Sequence, residues 1–350
     1  MSRLREKFQA DLDEIARDLI RAHDLKFTEG VPNLNDPLSR WVDFRLRYID
    51  PIPRTVFVSN RFPRRVSAQV GDGLAILTSR LRSGSDVNAY QSKGLTRFND
   101  FSGRNTSKRT DLLWADWGIT HLHVTDVPLE AASEYSKRCC SNGESWLLFC
   151  LFAGDTVGLI DLKEHNDRCL FSDQDLIHAL KQNWPDYLDN FRLHGILPDE
   201  EQLTDEQIGV LRQYGVNAPI VIDGEMFMGP GMGVASSSTP TLVTERVDRL
   251  RMWINWLADS AQDEEGPIVA EIRNREIKAP ALSLSLVPSG ISLIEETNRL
   301  VFVMNYDKTG DRYSAEMESL ICPQWALDRV LPNEGTNPTG FSASAPKPAG

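Results

Sequence analysis

Apolar positions recur at steps of three and four from Leu4 through Phe8, Leu12, Ile15 and Leu19, with charges between them. That spacing lines one face of a helix, so a helix is predicted over 3–22 with Ser2 as its N-cap. From Val42 to Tyr48 the pattern changes: Val42, Phe44, Leu46 and Tyr48 alternate with Asp43, Arg45 and Arg47, the period of a half-buried strand. TVFVS reads as a second short strand, set apart by Pro51, Pro53 and Pro63, and 73–83 as a short helix closed by Gly84. Three strand-like runs follow at 119–126, 145–153 and 156–165, the last two joined by Gly154-Asp155 as a hairpin turn. A helix over 173–183 is then expected, with Ser172 as N-cap and a stop before Trp184-Pro185.

Beyond about residue 200 the character changes. LTDEQIGVLRQYGV is a capped helix led by Thr204 and closed by Gly215, and Asp223-Gly224 marks a hairpin. A long helix spans 241–261, after which IVAEIRN, ALSLSLVPSG and LVFVMNY read as strands. Pro, Gly, Ser, Thr and Asn dominate 332–350, an expected disordered tail. The class is α+β, a central antiparallel sheet flanked by helices with a second C-terminal α+β region. The expected parts are 1–70 (N-terminal helix and basic strand segment), 71–198 (central domain), 199–331 (C-terminal region) and 332–350 (tail). No internal repeat is visible.

Composition narrows the function classes. Of the 350 residues 41% are hydrophobic and 25% charged, and no apolar run reaches the roughly 18 residues a membrane helix needs. The first residues, MSRLREKFQADLDEIARDL, lack the apolar region of a secretory signal. The five cysteines are an odd number without CxxC spacing, which argues against a disulfide scaffold and a cysteine zinc finger. The expectation is a cytoplasmic protein with reduced thiols and no membrane contact. The net charge of −12 hides an asymmetry. Residues 40–110 hold twelve Arg and two Lys against five Asp, so this segment is +9 and the rest −21. A concentrated positive field suits phosphates, and arginine grips them with two bonds at once. The rival reading has the segment dock on acidic surface of the same chain or of a partner.

Two of the six histidines, His121 and His123, fall in DWGITHLHV. On a strand they share one face, with Leu122 and Val124 on the other. His165 closes the third strand-like run, where a neighbouring strand can bring it to the pair. Such a trio supports three chemistries. It can act as general acid and base on RNA, with Lys137, Arg138 or Lys163 stabilising the charged transition state and Arg104, Lys108 and Arg109 binding phosphates. It can hold Zn or Fe in a hydrolase or oxygenase, with Asp116 as the first-choice carboxylate and Asp126 or Asp161 as others. Or it can be structural, in a non-catalytic protein whose basic face docks an acidic partner.

Other motifs rank lower. Gly229-Pro230-Gly231-Met232-Gly233 lacks the Lys-Ser/Thr of a phosphate loop and reads as a turn. Ser236, Ser237 and Ser238 have no GxSxG context. Cys139-Cys140 reads as a loop, and Trp114 and Trp117 as core residues more than as stacking platforms.

The runs DLLWADWGITHLHV, KRCCSNGESWLLFCLFAGDTVGLIDLKEHN and FSDQDLIHALKQNWP resemble a group of poorly characterised bacterial proteins. These share a D-W-G-I-x-H-x-H core, an LLF strand and an NWP corner. The helix–meander layout of 75–185 is also similar to that of the RelE/barnase-like ribonuclease toxins. That resemblance implies RNA cleavage without metal or other cofactor, His121, His123 and His165 as the reacting positions, and an acidic antitoxin-like partner.

Overall fold

The computed structural model describes residues 2–30, 33, 34, 36–97, 111–198, 201–304, 306, 310–331 and 340–343. It is α+β. Contacts divide the chain into two units, one of residues 1–46 with 243–350 and one of 47–242. The sequence boundaries expected at 70 and 198 both fall inside the second unit. The reason is pairing: the segment after Arg47 supplies a strand to the central sheet, and the segment after 198 closes over one face of it.

In the second unit, β1 (Thr55–Val58), β2 (Thr120–Val124), β3 (Trp146–Ala153) and β4 (Thr156–Glu164) form one sheet in the order β1-β4-β3-β2. β2, β3 and β4 are antiparallel, as expected, and β1 joins β4 in parallel. Alternation sends Leu122, Val124, Leu148, Cys150, Val157, Leu159 and Leu162 to one face, against Val70, Leu77 and Leu81 of α3 (Ala68–Ser83) and Tyr90. Phe149 pairs with Asp161 but Cys150 with Leu159, a bulge that takes up one extra residue of β4.

The opposite face carries Leu147 and Phe149, packed with Leu113, Trp117, Ile119, Leu176, Leu180 and Phe227. Covering elements are α5 (Leu112–Trp117), α6 (Asp175–Asn183), α7 (Pro185–Asp189), α8 (Asp205–Gln213) and the hairpin of β5 (Ile220–Ile222) and β6 (Glu225–Phe227). A short α4 (Gly94–Arg97) precedes them. The α8 capping box predicted at Thr204 is present, with the Gln207 side chain accepting from the Thr204 N–H at 2.8 Å. Ser172 is not the cap of α6; its hydroxyl donates to the Cys169 carbonyl at 3.2 Å, and the helix starts at Asp175. The Gly229–Gly233 segment is the expected turn. Its Gly231 and Gly233 N–H groups donate to the Asp116 and Ala115 carbonyls at 3.0 and 3.1 Å. A Cβ on Gly229 or Gly231 would collide with those same carbonyls, so only glycine permits the approach.

The first unit contains α1 (Arg3–Ala22), α2 (Pro37–Arg47), α9 (Thr241–Ser260), α10 (Pro267–Asn274), α11 (Arg312–Ile321) and α12 (Gln324–Val330). Its sheet runs β10-β9-β8-β7, from β7 (Leu282–Val287), β8 (Gly290–Glu295), β9 (Leu300–Met304) and β10 (Gly340–Ala343). Three expectations are corrected here. Residues 42–48 do not form a strand, because α2 covers 37–47. Asp36 caps it by accepting from the Ser39 N–H at 2.9 Å, and Arg40 and Asp43 are both fully buried, so a charge in this stretch does not mark the solvent side. IVAEIRN is a helix: Pro267 opens it, and Ile268 and Ile272 are buried four residues apart. In the tail, 340–343 pairs in parallel with β9 instead of being disordered, and its other residues, 332–339 and 344–350, lie outside the described residues. Among the described residues no helix is long and apolar enough to cross a membrane. All five cysteines are free thiols.

Candidate functional site

The site grows from a tight helix-to-strand reversal. Asp111 caps α5, its Oδ1 accepting from the Trp114 N–H at 3.0 Å. Gly118, at φ +70°, ends the helix in the left-handed conformation that glycine adopts without strain. Ile119 enters the core and β2 begins at once, which returns the chain so that His121 stands beside Asp111. His121 Nδ1 lies 3.0 Å from Asp111 Oδ2, an ion-pair distance between two nearly buried side chains. Burial works to raise the Asp111 pKa; the His121 charge and contact, with Arg47 behind them, outweigh it and hold the carboxyl below its ordinary value.

His121 and His123 share a face, as the alternation predicted, with ring centres 6.0 Å apart. His165 joins them because β4 returns beside β3, its N–H donating to the Ser145 carbonyl at 2.8 Å. Its ring is stacked 5.8 Å from that of His123. The three imidazoles therefore form one row, from the buried His121 through the half-buried His123 to the exposed His165. Phe171 and Phe149 wall the inner end, 5.1 and 6.3 Å from the His121 ring. His123 is pushed down to about 3, first by burial and then by the charges of His121, Arg138, His165 and Lys93.

The expected phosphate-binding residues separate. Arg138 is buried near the row, its Nε and Nη2 donating to the Ala89 carbonyl at 3.1 and 2.7 Å. Lys137 is spent on Glu134 at 2.6 Å. Lys163 lies between Asp173 at 2.7 Å and Asp161 at 3.3 Å, so two carboxylates neutralise it. Arg104, Lys108 and Arg109 lie outside the described residues. The basic segment as a whole is not one surface. Arg40, Arg47 and Arg54 are buried, while Arg61 and Arg80 pair with Asp175 and Glu130.

Asp116 does not join the histidines. Its Oδ2 accepts from Arg212 Nε at 2.6 Å in a buried pair, so the carboxylate proposed with them for a metal is committed elsewhere. Among the described residues no group of three or more His, Cys, Asp or Glu side chains is arranged to hold a metal ion. Arg212 also donates from Nη1 to the Phe171 carbonyl at 2.8 Å. It thus ties the helix that presents Asp111 to the segment whose ring packs on His121.

Sequence reasoning missed Asp111, Phe171 and Arg212. Asp111 had a local signal, an aspartate three residues before Trp114 at the start of an apolar run. The other two meet the site only through the tertiary fold. Compared with known proteins, the chain matches no family model, no curated protein and no solved structure.

Proposed function

We propose that this chain cleaves RNA by histidine acid–base chemistry at the row His121–His123–His165. The observation that carries the reading is the row itself: three imidazoles in contact sequence, one backed by a carboxylate and one open to solvent, with Arg138 and Lys93 close by. His123 is held neutral, so it is in the proton-accepting form at working pH. It takes the proton of a ribose 2′-hydroxyl as that oxygen attacks the adjacent phosphorus. His165 gives a proton to the departing 5′-oxygen, leaving a 2′,3′-cyclic phosphate and a 5′-hydroxyl end. The cations nearby stabilise the charge that builds on the phosphorane. His121, fixed by Asp111, positions the His123 ring.

The charges that depress His123 belong partly to Arg138 and Lys93. A substrate phosphate set among them offsets that like-charge repulsion and makes His123 a stronger base when RNA is bound. The test is cleavage of single-stranded RNA by the purified chain in excess EDTA, beside His123→Ala and His165→Ala variants. Cleavage that survives EDTA and is lost in both variants is expected. Cleavage abolished by EDTA, or unchanged in the variants, or absent from the folded wild type, overturns the reading.

A further inference from the structure

Next to the histidine row is a group of cations that the proposed chemistry uses only in part. Tyr135 lies on the single turn Ala132–Lys137, and three positive side chains surround its ring. Lys93 Nζ is 4.6 Å from the ring centre, the Arg97 guanidinium 5.1 Å and the Arg138 guanidinium 5.8 Å. Each cation gains from the ring quadrupole, but three like charges around one ring also repel one another. Their neutralisation is missing. Among the described residues no carboxylate lies at ion-pair distance from any of the three. Glu134, on the same turn, is taken by Lys137 at 2.6 Å and by the Glu130 N–H at 2.9 Å.

Arg138 makes the imbalance costly, because it is 5% exposed and its only acceptor is a neutral carbonyl. A guanidinium withdrawn from water without a counter-charge is an expensive arrangement, and burial pushes it down to about 10. Chains keep such a group where an anion from outside completes it. Lys93 and Arg97 are exposed and reach outward beside it, so the group presents both a fixed, buried cation and two that can close on a ligand. Its charge is felt at His123, which places it one group along from the reacting centre.

We infer that Lys93, Arg97 and Arg138 around Tyr135 form a subsite for a backbone phosphate of single-stranded RNA, flanking the phosphodiester held at the histidine row. This rests on the reading of the row as an RNA-cleaving site, but its binding is testable without cleavage. Single strands suit it better than duplex because a flexible backbone can bend one phosphate onto the ring while presenting the next to His123 and His165.

The test uses a 2′-O-methyl RNA decamer, which lacks the attacking hydroxyl, and follows its binding to the full chain by fluorescence anisotropy over a range of salt. The exposed pair is replaced together as Lys93→Gln/Arg97→Gln, which leaves the buried Arg138 and the fold in place. Affinity is expected to fall about tenfold to a hundredfold. The slope of log affinity against log salt should become shallower by roughly 1.4, about 0.7 for each phosphate contact removed from a single strand. His123→Ala is expected to bind the decamer as wild type does. Unchanged affinity and slope in the double variant, or no binding of the decamer by wild type at low salt, overturns the subsite. The two readings can fail separately. A decamer bound with the expected slope by a chain that cuts no RNA keeps the subsite and removes the chemistry. Cleavage with an indifferent double variant does the reverse.

Discussion

Two histidines in this chain are driven to the neutral form, one in each unit, and their surroundings differ. His23, at the end of α1, is pushed down to about 4, mainly by burial and then by Arg329. Its neighbours are rings: Trp41, Phe44 and Trp325 at 5.4, 5.5 and 5.2 Å. Its Nε2 is buried without a hydrogen-bond partner. His123 is pushed down to about 3, and its neighbours are His121, His165, Arg138 and Lys93. Depressed basicity is thus common to both, and does not itself mark function. What separates them is whether the pressure can be relieved. No ligand relieves the aromatic packing of His23, whereas an anion offsets the charges around His123.

The strongest way to break the contrast is to remove each ring in turn. His123→Ala and His165→Ala should lower RNA cleavage about 10²- to 10⁴-fold, the usual span for a lost acid or base, while His23→Leu leaves the rate unchanged. Equal losses at His23 and His123, in folded variants, would erase the distinction. Next in size is Arg212→Met. It strands Asp116, 1% exposed, without its counter-charge, and should cost about 3–5 kcal/mol in urea unfolding. Asp116→Asn in the same background should recover part of that loss. Failure of the double variant to recover anything would show that Arg212 acts through its bond to the Phe171 carbonyl alone.

These two experiments also mark where sequence reading stopped. β2, β3 and β4, the Gly154-Asp155 turn and the shared face of His121 and His123 were legible, because alternation and turn chemistry are local. α2 was misread for a physical reason: Arg40, Asp43 and Arg47 are interior charges, and a reading that takes charge for exposure turns a helix buried all round into an alternating strand. α10 was misread because a short apolar run is shared by strands and helices, and Pro267 at its start was given too little weight. In the site, the pairing of Asp111 with His121 depends on one glycine turn and so lay near the limit of local inference. The bonds from Arg212 to Asp116, 96 positions away, and to Phe171 lay beyond it. Arg138 was found by its charge, yet Lys163, chosen on the same ground, is neutralised by two aspartates that only the fold brings to it.

Acid offers a smaller and more discriminating test of the contrast. A histidine whose folded pKa lies below its unfolded value binds more protons when unfolded, so folding imposes no penalty above the unfolded pKa and a growing one as pH falls through the gap. For His23 the gap runs from 6.5 to about 4, worth about 3 kcal/mol once fully crossed. His23→Leu should therefore flatten the loss of stability of the wild type between these pH values. At pH 7 the same variant should change stability by less than about 1 kcal/mol. The lost partial contact with Arg329, an exposed side chain that water can serve, is set against removal of a buried nitrogen without a partner. His123 has the wider gap, from 6.5 to about 3, and adds an acid-sensitive component of its own. The 2′-O-methyl decamer should diminish that component and leave the His23 component intact. Urea unfolding at a series of pH values, with and without the decamer, reads both. An acid limb that the decamer shifts equally in wild type and in His123→Leu would mean that the anion acts on the whole unit and not on this ring, and the contrast between the two histidines would then rest on packing alone.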